Sequence, residues 1–187
     1  MNLNDLKDRA YRNAVAHGWH EEEKSDDHWL CLVISELMES VEADRKKHHA
    51  DVLSFNSVTE FTGEERIKAY ETYIKGSVEE ELADTCIRLL DFAGLKNVDL
   101  SELELPLKIN KEYSESRSRL TFTEWCLDCI SSIVFYNRAE APEEYLIKVL
   151  LAEMFCKAQN MEFDLLWHME EKMKYNETRP FMHDKIY

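Results

Sequence analysis

The sequence predicts an all-α fold, and its composition supplies the main observations behind that prediction. The chain has 187 residues but only 4 glycines and 3 prolines, whereas average usage would give roughly 20. Such a shortage of turn-forming residues disfavours sandwiches and barrels and favours long helices. Apolar residues make up 44% of the chain, which is enough for a hydrophobic core and argues against global disorder. Neither GxGxxG nor a GxxxxGK loop occurs, so a glycine-loop nucleotide fold is excluded.

Apolar periodicity and capping signals predict about seven helices. Gly18 is expected at the C-terminal end of the first helix, and Gly94 is expected to stop the helix that begins near position 77. A threonine at position 121 or 123 is expected to open a later helix, with Glu124 as its capping-box partner. In chain order the predicted helices span approximately residues 2–17, 27–49, 64–75, 77–93, a segment that begins at 121 or 123, 142–159 and 163–178, with a short one beginning in 99–102.

The chain is predicted to form one domain, residues 1–187, because no Ser/Gly-rich linker or low-complexity tract divides it. Residues 50–63 are polar and poorly periodic, so no helix is assigned to them. Pro142 is expected at the first position of its helix, and Pro180 is expected to stop the last one.

Two parts of the chain share a weak spacing pattern, which suggests an internal duplication. A tryptophan, an isoleucine and a serine recur at the same spacing: Trp29, Ile34 and Ser35, then Trp125, Ile130 and Ser131. A duplication would make residues 121–179 a degenerate second copy, in which Ser132 and Phe135 replace Glu36 and Glu39. Chance matches between helical sequences are the alternative explanation.

Charge excludes several classes of partner. The chain has 23 basic and 38 acidic residues, a formal net charge of −15, which disfavours a nucleic-acid partner. The longest run without charge, Cys129 to Asn137, is far shorter than a membrane span. No signal-peptide core is present at the N-terminus, and the five scattered cysteines read as reduced thiols. We therefore expect a soluble, cytoplasmic protein without a membrane partner.

The first candidate site is a pair of glutamates on the second predicted helix. Glu36 and Glu39 are three residues apart, so their carboxylates point the same way. Leu32 lies on the same row one turn earlier, which suggests partial burial of the pair. A solvated acidic face is the alternative reading.

The second candidate site is Glu81 and Asp84, on a predicted helix that is apolar around most of its circumference. A helix of that kind is usually central in a fold. Its polar positions form one narrow strip, which we expect to face a specific feature of the structure: Glu80, Glu81, Asp84, Arg88 and Asp91.

Packed on facing helices, the two acidic pairs would bring four carboxylates within a few ångströms. Such a cluster persists only if protons or cations neutralise it. Oxygen ligands without histidine or cysteine favour Mg²⁺, with Mn²⁺ as an alternative. No histidine has a glutamate three residues before it, so a di-iron carboxylate site is disfavoured.

A third candidate site contains Lys172, Asn176 and Arg179, which share one face of the last predicted helix. Two fixed cations and an amide suit a chain of phosphates, since arginine can bind phosphate through two nitrogens. Ordinary placement of cations near the C-terminal end of a helix is the alternative.

Together these motifs resemble the MazG-like, all-α nucleoside triphosphate pyrophosphohydrolases, a superfamily that includes the dimeric dUTPases. The resemblance covers roughly residues 17–95, with two acidic pairs at similar spacings, and the tail KMKYNETRP…DKIY resembles the phosphate-binding segment of dUTPase-like members. It implies a four-helix-bundle-like core with additional helices and Mg²⁺ held by Glu36, Glu39, Glu81 and Asp84. It also implies hydrolysis of a (d)NTP to a (d)NMP and pyrophosphate, with Glu36 activating the water, in nucleotide-pool control or house-cleaning.

Two departures from the family pattern leave alternatives open. The gap between the acidic pairs is longer than in compact members, which implies an insertion around 50–75. Compact members also place the Lys/Asn/Arg set soon after the second pair, so Lys108, Asn110 and Arg117 compete with the later set. We favour the later set because it shares one helical face, whereas Pro106 disturbs the earlier segment.

The substrate and the assembly also stay open. A dUTPase-specific member is one alternative, and a catalytically inactive helical protein that binds nucleotides or a partner is another. The resemblance is compatible with a homodimer or with a pseudo-dimeric monomer.

Overall fold

The computed structural model describes residues 2–58, 63–103, 110–139 and 142–181, and within these ranges it contains nine α-helices and no strand. The predicted all-α fold is therefore confirmed. The helices are α1 (Leu3–Ala16), α2 (Asp26–Arg45), α3 (Val52–Ser57), α4 (Gly63–Tyr73), α5 (Val78–Leu95), α6 (Lys111–Ser118), α7 (Phe122–Arg138), α8 (Glu143–Asn160) and α9 (Leu165–Glu177).

Helix α5 is the centre of a bundle-like core, because α1, α2, α8 and α9 all pack against it. Its sequence explains this position: apolar residues cover most of its surface, and Leu82, Leu89 and Leu90 are completely buried. Helix α7 packs on α2 and α8, and α6 packs on α8. The central place of α5 means that its narrow polar strip faces other helices.

A smaller hydrophobic cluster joins the predicted insertion to the last helix. The insertion forms α3 and α4, which pack on each other. Phe55 and Tyr70 are buried there together with Tyr175 of α9. The ring of Tyr70 stacks on that of Tyr175, with centroids 4.6 Å apart. The insertion is thereby attached to the helix that carries Lys172.

Several predicted helix ends agree with the structure. Gly18 follows the end of α1 with a φ of 82°, a conformation that suits glycine. Thr121 caps α7 in a capping box with Glu124. Helix α9 ends before Pro180. Pro142 occupies the N-cap position of α8, one residue before the position we predicted.

Gly94 does not stop α5, which corrects a prediction. The helix continues through it to Leu95, and the left-handed residue that follows the helix is Asn97, with a φ of 54°. A Cβ atom at Gly94 would lie 2.5 Å from the Cβ atom of Tyr11 in α1. Close packing of α1 on α5 accounts for this glycine.

The polar segments contain the other corrections. Residues 101–103 form a turn where a short helix was expected to begin in 99–102, and Asp99 accepts hydrogen bonds from Asn4 and Ser101 instead. Helix α2 ends at Arg45, four residues before the expected end.

The sequence interpretation also missed two short helices. Helix α3 lies within the poorly periodic stretch, and Asp51 caps it. Helix α6 begins after Asn110, whose side chain accepts from the backbone N–H groups of Glu112 and Tyr113. Both helices are too short to show a clear apolar period.

The suggested duplication stays a prediction, although its key residues lie on two helices that pack together, α2 and α7. Trp29 and Trp125 are both buried. The indole nitrogen of Trp125 donates to Glu153 at 2.9 Å, whereas that of Trp29 has no partner among the described residues. Phe135, the suggested counterpart of Glu39, is 67% exposed.

None of the described helices is both long enough and apolar enough to cross a bilayer.

Replacing Gly94 with alanine should destabilise the protein. The added Cβ would collide with the Cβ and Cγ atoms of Tyr11, which are close to the backbone and cannot rotate away. Overpacking costs about 1–3 kcal/mol, against a gain of about 1 kcal/mol from the helix propensity of alanine. We expect thermal denaturation to show a lower Tm for Gly94→Ala.

The matched control is Gly63→Ala, where an added Cβ meets no atom of the described residues within 4 Å. Its Tm should equal or slightly exceed that of the wild type. A Gly94→Ala protein as stable as the wild type would contradict the close packing of α1 on α5.

Candidate functional site

Three of the four predicted acidic residues meet between α2 and α5. Carboxylate oxygens of Glu36, Glu39 and Glu81 lie within 4.8 Å of one another. Glu36 and Glu81 are buried, whereas Glu39 is exposed. The i, i+3 spacing on α2 and the packing of α2 on α5 produce this acidic cluster, the name we use below for these three residues. Its oxygen-only donor set fits a hard divalent cation.

The fourth predicted acid, Asp84, lies one turn further along α5 and pairs with a lysine of α9. The Nζ atom of Lys172 is 2.9 Å from the Oδ2 atom of Asp84, and it also donates to Glu80. The pKa of Lys172 is raised, because Asp84 and Glu80 together outweigh the effect of burial. Lys172 therefore reaches the acidic strip of α5, as a counter-charge to its carboxylates.

Glu80 belongs to this arrangement, although its role was not predicted from the sequence. Its side chain is almost completely buried and accepts from the hydroxyl of Tyr70 at 3.1 Å and from the backbone N–H of Gly76 at 2.9 Å. Tyr70 comes from the insertion, so the position of Glu80 depends on packing between segments that sequence periodicity does not reveal.

Arg88 is a second residue whose role the sequence did not reveal. Its Nε atom donates to the Oε1 atom of Glu36 at 3.0 Å, and its guanidinium lies 5.6 Å from the ring centroid of Trp19. The signal that could have found it is its place on the polar strip of α5, one turn after Asp84.

The two buried carboxyl groups of the acidic cluster, Glu36 and Glu81, bind protons more tightly than usual. The pKa of Glu36 is raised to about 7, first by burial and then by the Asp84 carboxylate, against the effect of Arg88. The pKa of Glu81 is raised to about 9, first by burial and then by Glu80, against the effect of Lys172. A bound cation would favour the ionised carboxylates and reverse both shifts.

A small cleft of about 50 Å³ adjoins Asp84, between α1, α5 and α9. Asn176 and Arg179 line it, but Lys172 does not. The prediction that these three residues share one face of the last helix is wrong for Arg179, because α9 ends at Glu177 and Arg179 lies beyond it. The Oδ1 atom of Asn176 is buried and has no hydrogen-bond partner in the described part of the chain. Further polar residues of the lining are Asn13, Trp19, Asp84, Arg88 and Asp91.

Asp91 also lines this cleft, and its carboxylate contacts the ring of His20. The Nε2 atom of His20 lies 2.8 Å from the Oδ1 atom of Asp91. The pKa of Asp91 is raised, mainly by burial. The His20 ring stacks on Trp29, with centroids 4.7 Å apart. His20 is therefore fixed between the Asp91 carboxylate and the Trp29 ring.

The competing phosphate-binding set has other partners where the structure describes it. Lys108 lies outside the described residues. The side chain of Asn110 caps α6. Arg117 pairs with Glu153 at 3.0 Å and with Asp128 at 2.6 Å. These contacts give Asn110 and Arg117 structural roles.

Comparisons with protein-family models, with curated proteins and with solved structures found no significant match to this chain.

The acidic cluster should make the metal-free protein less stable as pH rises. Because the folded state raises the pKa of Glu36 and Glu81, it binds more protons than the unfolded state between about pH 4.5 and pH 9. This contribution to stability is complete below about pH 4.5 and is lost as pH rises through the folded-state values. Glu81→Gln should remove much of the slope, which urea denaturation in EDTA from pH 5 to 9 measures.

Glu42→Gln is the control, because the Glu42 side chain lies on α2 but is exposed to solvent. It should leave the slope unchanged. If the stability of Glu81→Gln fell with pH as steeply as that of the wild type, the pKa of Glu81 would not be raised in the folded protein.

Proposed function

We propose that this chain is a divalent-cation-dependent nucleoside triphosphate pyrophosphohydrolase, which converts a (d)NTP to a (d)NMP and pyrophosphate. The observation that carries the proposal is the acidic cluster, formed by two buried glutamates and one exposed glutamate on packed helices. Its spacing is the feature that resembles the MazG-like superfamily, and that resemblance supplies the choice of pyrophosphate as the leaving group.

Glu36, Glu39 and Glu81 are the residues that would hold Mg²⁺ or Mn²⁺, with Asp84 beside them. A cation in such a site supplies Lewis-acid polarisation of a phosphoryl oxygen. It would also reconcile a substrate of about four negative charges with a site that is itself acidic.

Glu36 is our choice for the proton acceptor. It takes a proton from a water molecule whose oxygen forms a bond with the α-phosphorus, while the bond from that phosphorus to the bridging oxygen breaks. The leaving group is pyrophosphate. Arg88 orients the Glu36 carboxylate through its 3.0 Å hydrogen bond, and an ionised Glu36 is the form that accepts the proton.

Asn176 and Arg179 are placed to contact phosphate, since both line the cleft beside Asp84. Lys172, proposed from the sequence as a third phosphate contact, balances Asp84 and Glu80. It would contact phosphate only by exchanging one of these carboxylates for the substrate.

A second candidate function is a catalytically inactive helical protein that binds nucleotides. One observation favours it: Lys172 and Arg88 already neutralise Asp84 and Glu36 within the protein. Internal cations of this kind are an alternative to a metal ion in stabilising the acidic residues.

A panel of canonical and damaged NTPs and dNTPs, including dUTP, should separate these functions. With Mg²⁺ present, we expect release of pyrophosphate and a nucleoside monophosphate, and with EDTA we expect no turnover. Preference for dUTP alone would identify a dUTPase-specific enzyme. A nucleoside diphosphate product would contradict the proposed cleavage, and nucleotide binding without turnover would support the inactive alternative.

Removing an acidic side chain should abolish most of the activity. We expect Glu36→Ala and Asp84→Ala to lower kcat by at least about 10²-fold, as found where a metal ligand or a general base is lost. Steady-state kinetics with the best substrate of the panel measures the effect.

Glu42→Ala, on the same helix as Glu36, is the control and should keep wild-type turnover. Near-native turnover of Asp84→Ala would remove Asp84 from the assigned site.

A further inference from the structure

We propose that Arg88 is a phosphate-binding residue, and that the cleft between α1, α5 and α9 takes the terminal phosphate group of the substrate through Arg88, Asn176 and Arg179. The inference rests on the proposed function. It assigns the phosphate-binding arginine to α5, where neither the sequence motifs nor the acidic cluster placed one.

The guanidinium group of Arg88 has two nitrogens available to bind a ligand. Its side chain is 17% exposed and lines the cleft. Its Nε atom is used by Glu36, but in the described ranges no hydrogen bond engages its two Nη nitrogens. A guanidinium held at one nitrogen, with two further nitrogens beside a cavity, can bind an oxyanion through a fork of two hydrogen bonds.

Lys172 lacks that freedom. Its Nζ atom contacts both Glu80 and Asp84 and is buried between α5 and α9. Reaching a phosphate would leave at least one buried carboxylate without its cation, which is strongly unfavourable. Arg88 can bind phosphate without breaking any contact.

Asn176 and Arg179 provide the other side of the cleft. The Asn176 side chain is buried with its Oδ1 atom unsatisfied, an uncommon state for a buried amide. Half a turn about the last side-chain bond would exchange Oδ1 for the NH₂ group, which can donate to a phosphate oxygen. Arg179 lies over the ring of Tyr175 and forms no ion pair with another described residue.

The cleft is large enough for a phosphate group. The cleft offers about 50 Å³ to the centres of water-sized groups, which is room for several water molecules at roughly 10–15 Å³ each and suits a small oxyanion such as one phosphate group. The two carboxylates in its wall, Asp84 and Asp91, are held by Lys172 and His20. Arg88 and Arg179 therefore supply the charge that a ligand would meet.

The test is the affinity for inorganic pyrophosphate, measured by isothermal titration calorimetry at low ionic strength in EDTA, so that metal ligation does not enter. We expect Arg88→Met to weaken binding at least about tenfold, the effect of losing a charge-assisted hydrogen bond. Arg88→Lys should fold with its charge intact and recover only part of the affinity, because a single ammonium cannot replace the fork.

Two controls separate direct contact from indirect effects. Arg117→Met removes an arginine that pairs with a buried glutamate elsewhere. Glu36→Gln removes the negative charge of the Arg88 partner while keeping an acceptor oxygen for Arg88. Neither variant should bind pyrophosphate more than about threefold more weakly than the wild type.

The inference is overturned if the wild type does not bind pyrophosphate, if Arg88→Met and Arg88→Lys bind as the wild type does, or if either control loses as much affinity as Arg88→Met. Pyrophosphate binding needs no turnover. Arg88-dependent binding without nucleotide hydrolysis would therefore refute the proposed function and keep this site, and hydrolysis without Arg88-dependent binding would do the reverse.

Discussion

Repulsion between carboxylates on α2 and α5 is the constraint on which the rest of the site depends. Carboxylate oxygens of Glu36 and Glu81 lie within 4.8 Å of each other. At that distance two like charges repel by about 3–4 kcal/mol at an effective dielectric constant of 20. The two residues are buried, so water cannot screen them fully. Burial first, and then the neighbouring carboxylates Asp84 and Glu80, raise the pKa values of Glu36 and Glu81. The folded protein therefore accommodates the two residues by holding protons and by placing cations nearby. A bound divalent cation would do the same without protons.

The surrounding elements supply those internal cations. Arg88 of α5 pairs with Glu36 of α2, and Lys172 of α9 pairs with Asp84 of α5. The insertion stabilises the second of these pairs indirectly, since the Tyr70 hydroxyl donates to Glu80, the other partner of Lys172. Helices α3 and α4 are thus connected to the polar strip of the central helix α5 through Tyr70. The segment between the two acidic pairs therefore has a structural role.

Local features of the site could be predicted from the sequence, and features that depend on distant segments could not. The i, i+3 spacing and the apolar rows around Glu36 and Glu81 are properties of single helices, so both the helices and the meeting of the acids were predictable. Periodicity does not report which residue of another helix is adjacent. For that reason the partners of Lys172 and Arg88 emerge only from the packed structure, and Gly94, which looked like a helix end, makes room for a side chain of α1.

We propose that the acidic cluster binds a hard divalent cation, and calorimetric titration of the metal-free protein with Mg²⁺ or Mn²⁺ is the decisive measurement. Glu39 is exposed, so Glu39→Gln alters the cluster without disturbing the core. We expect saturable binding near pH 7 accompanied by proton release, because the cation displaces protons from Glu36 and Glu81, and we expect marked weakening in Glu39→Gln. Absence of saturable binding at millimolar Mg²⁺ and Mn²⁺, or wild-type binding by Glu39→Gln, would contradict it.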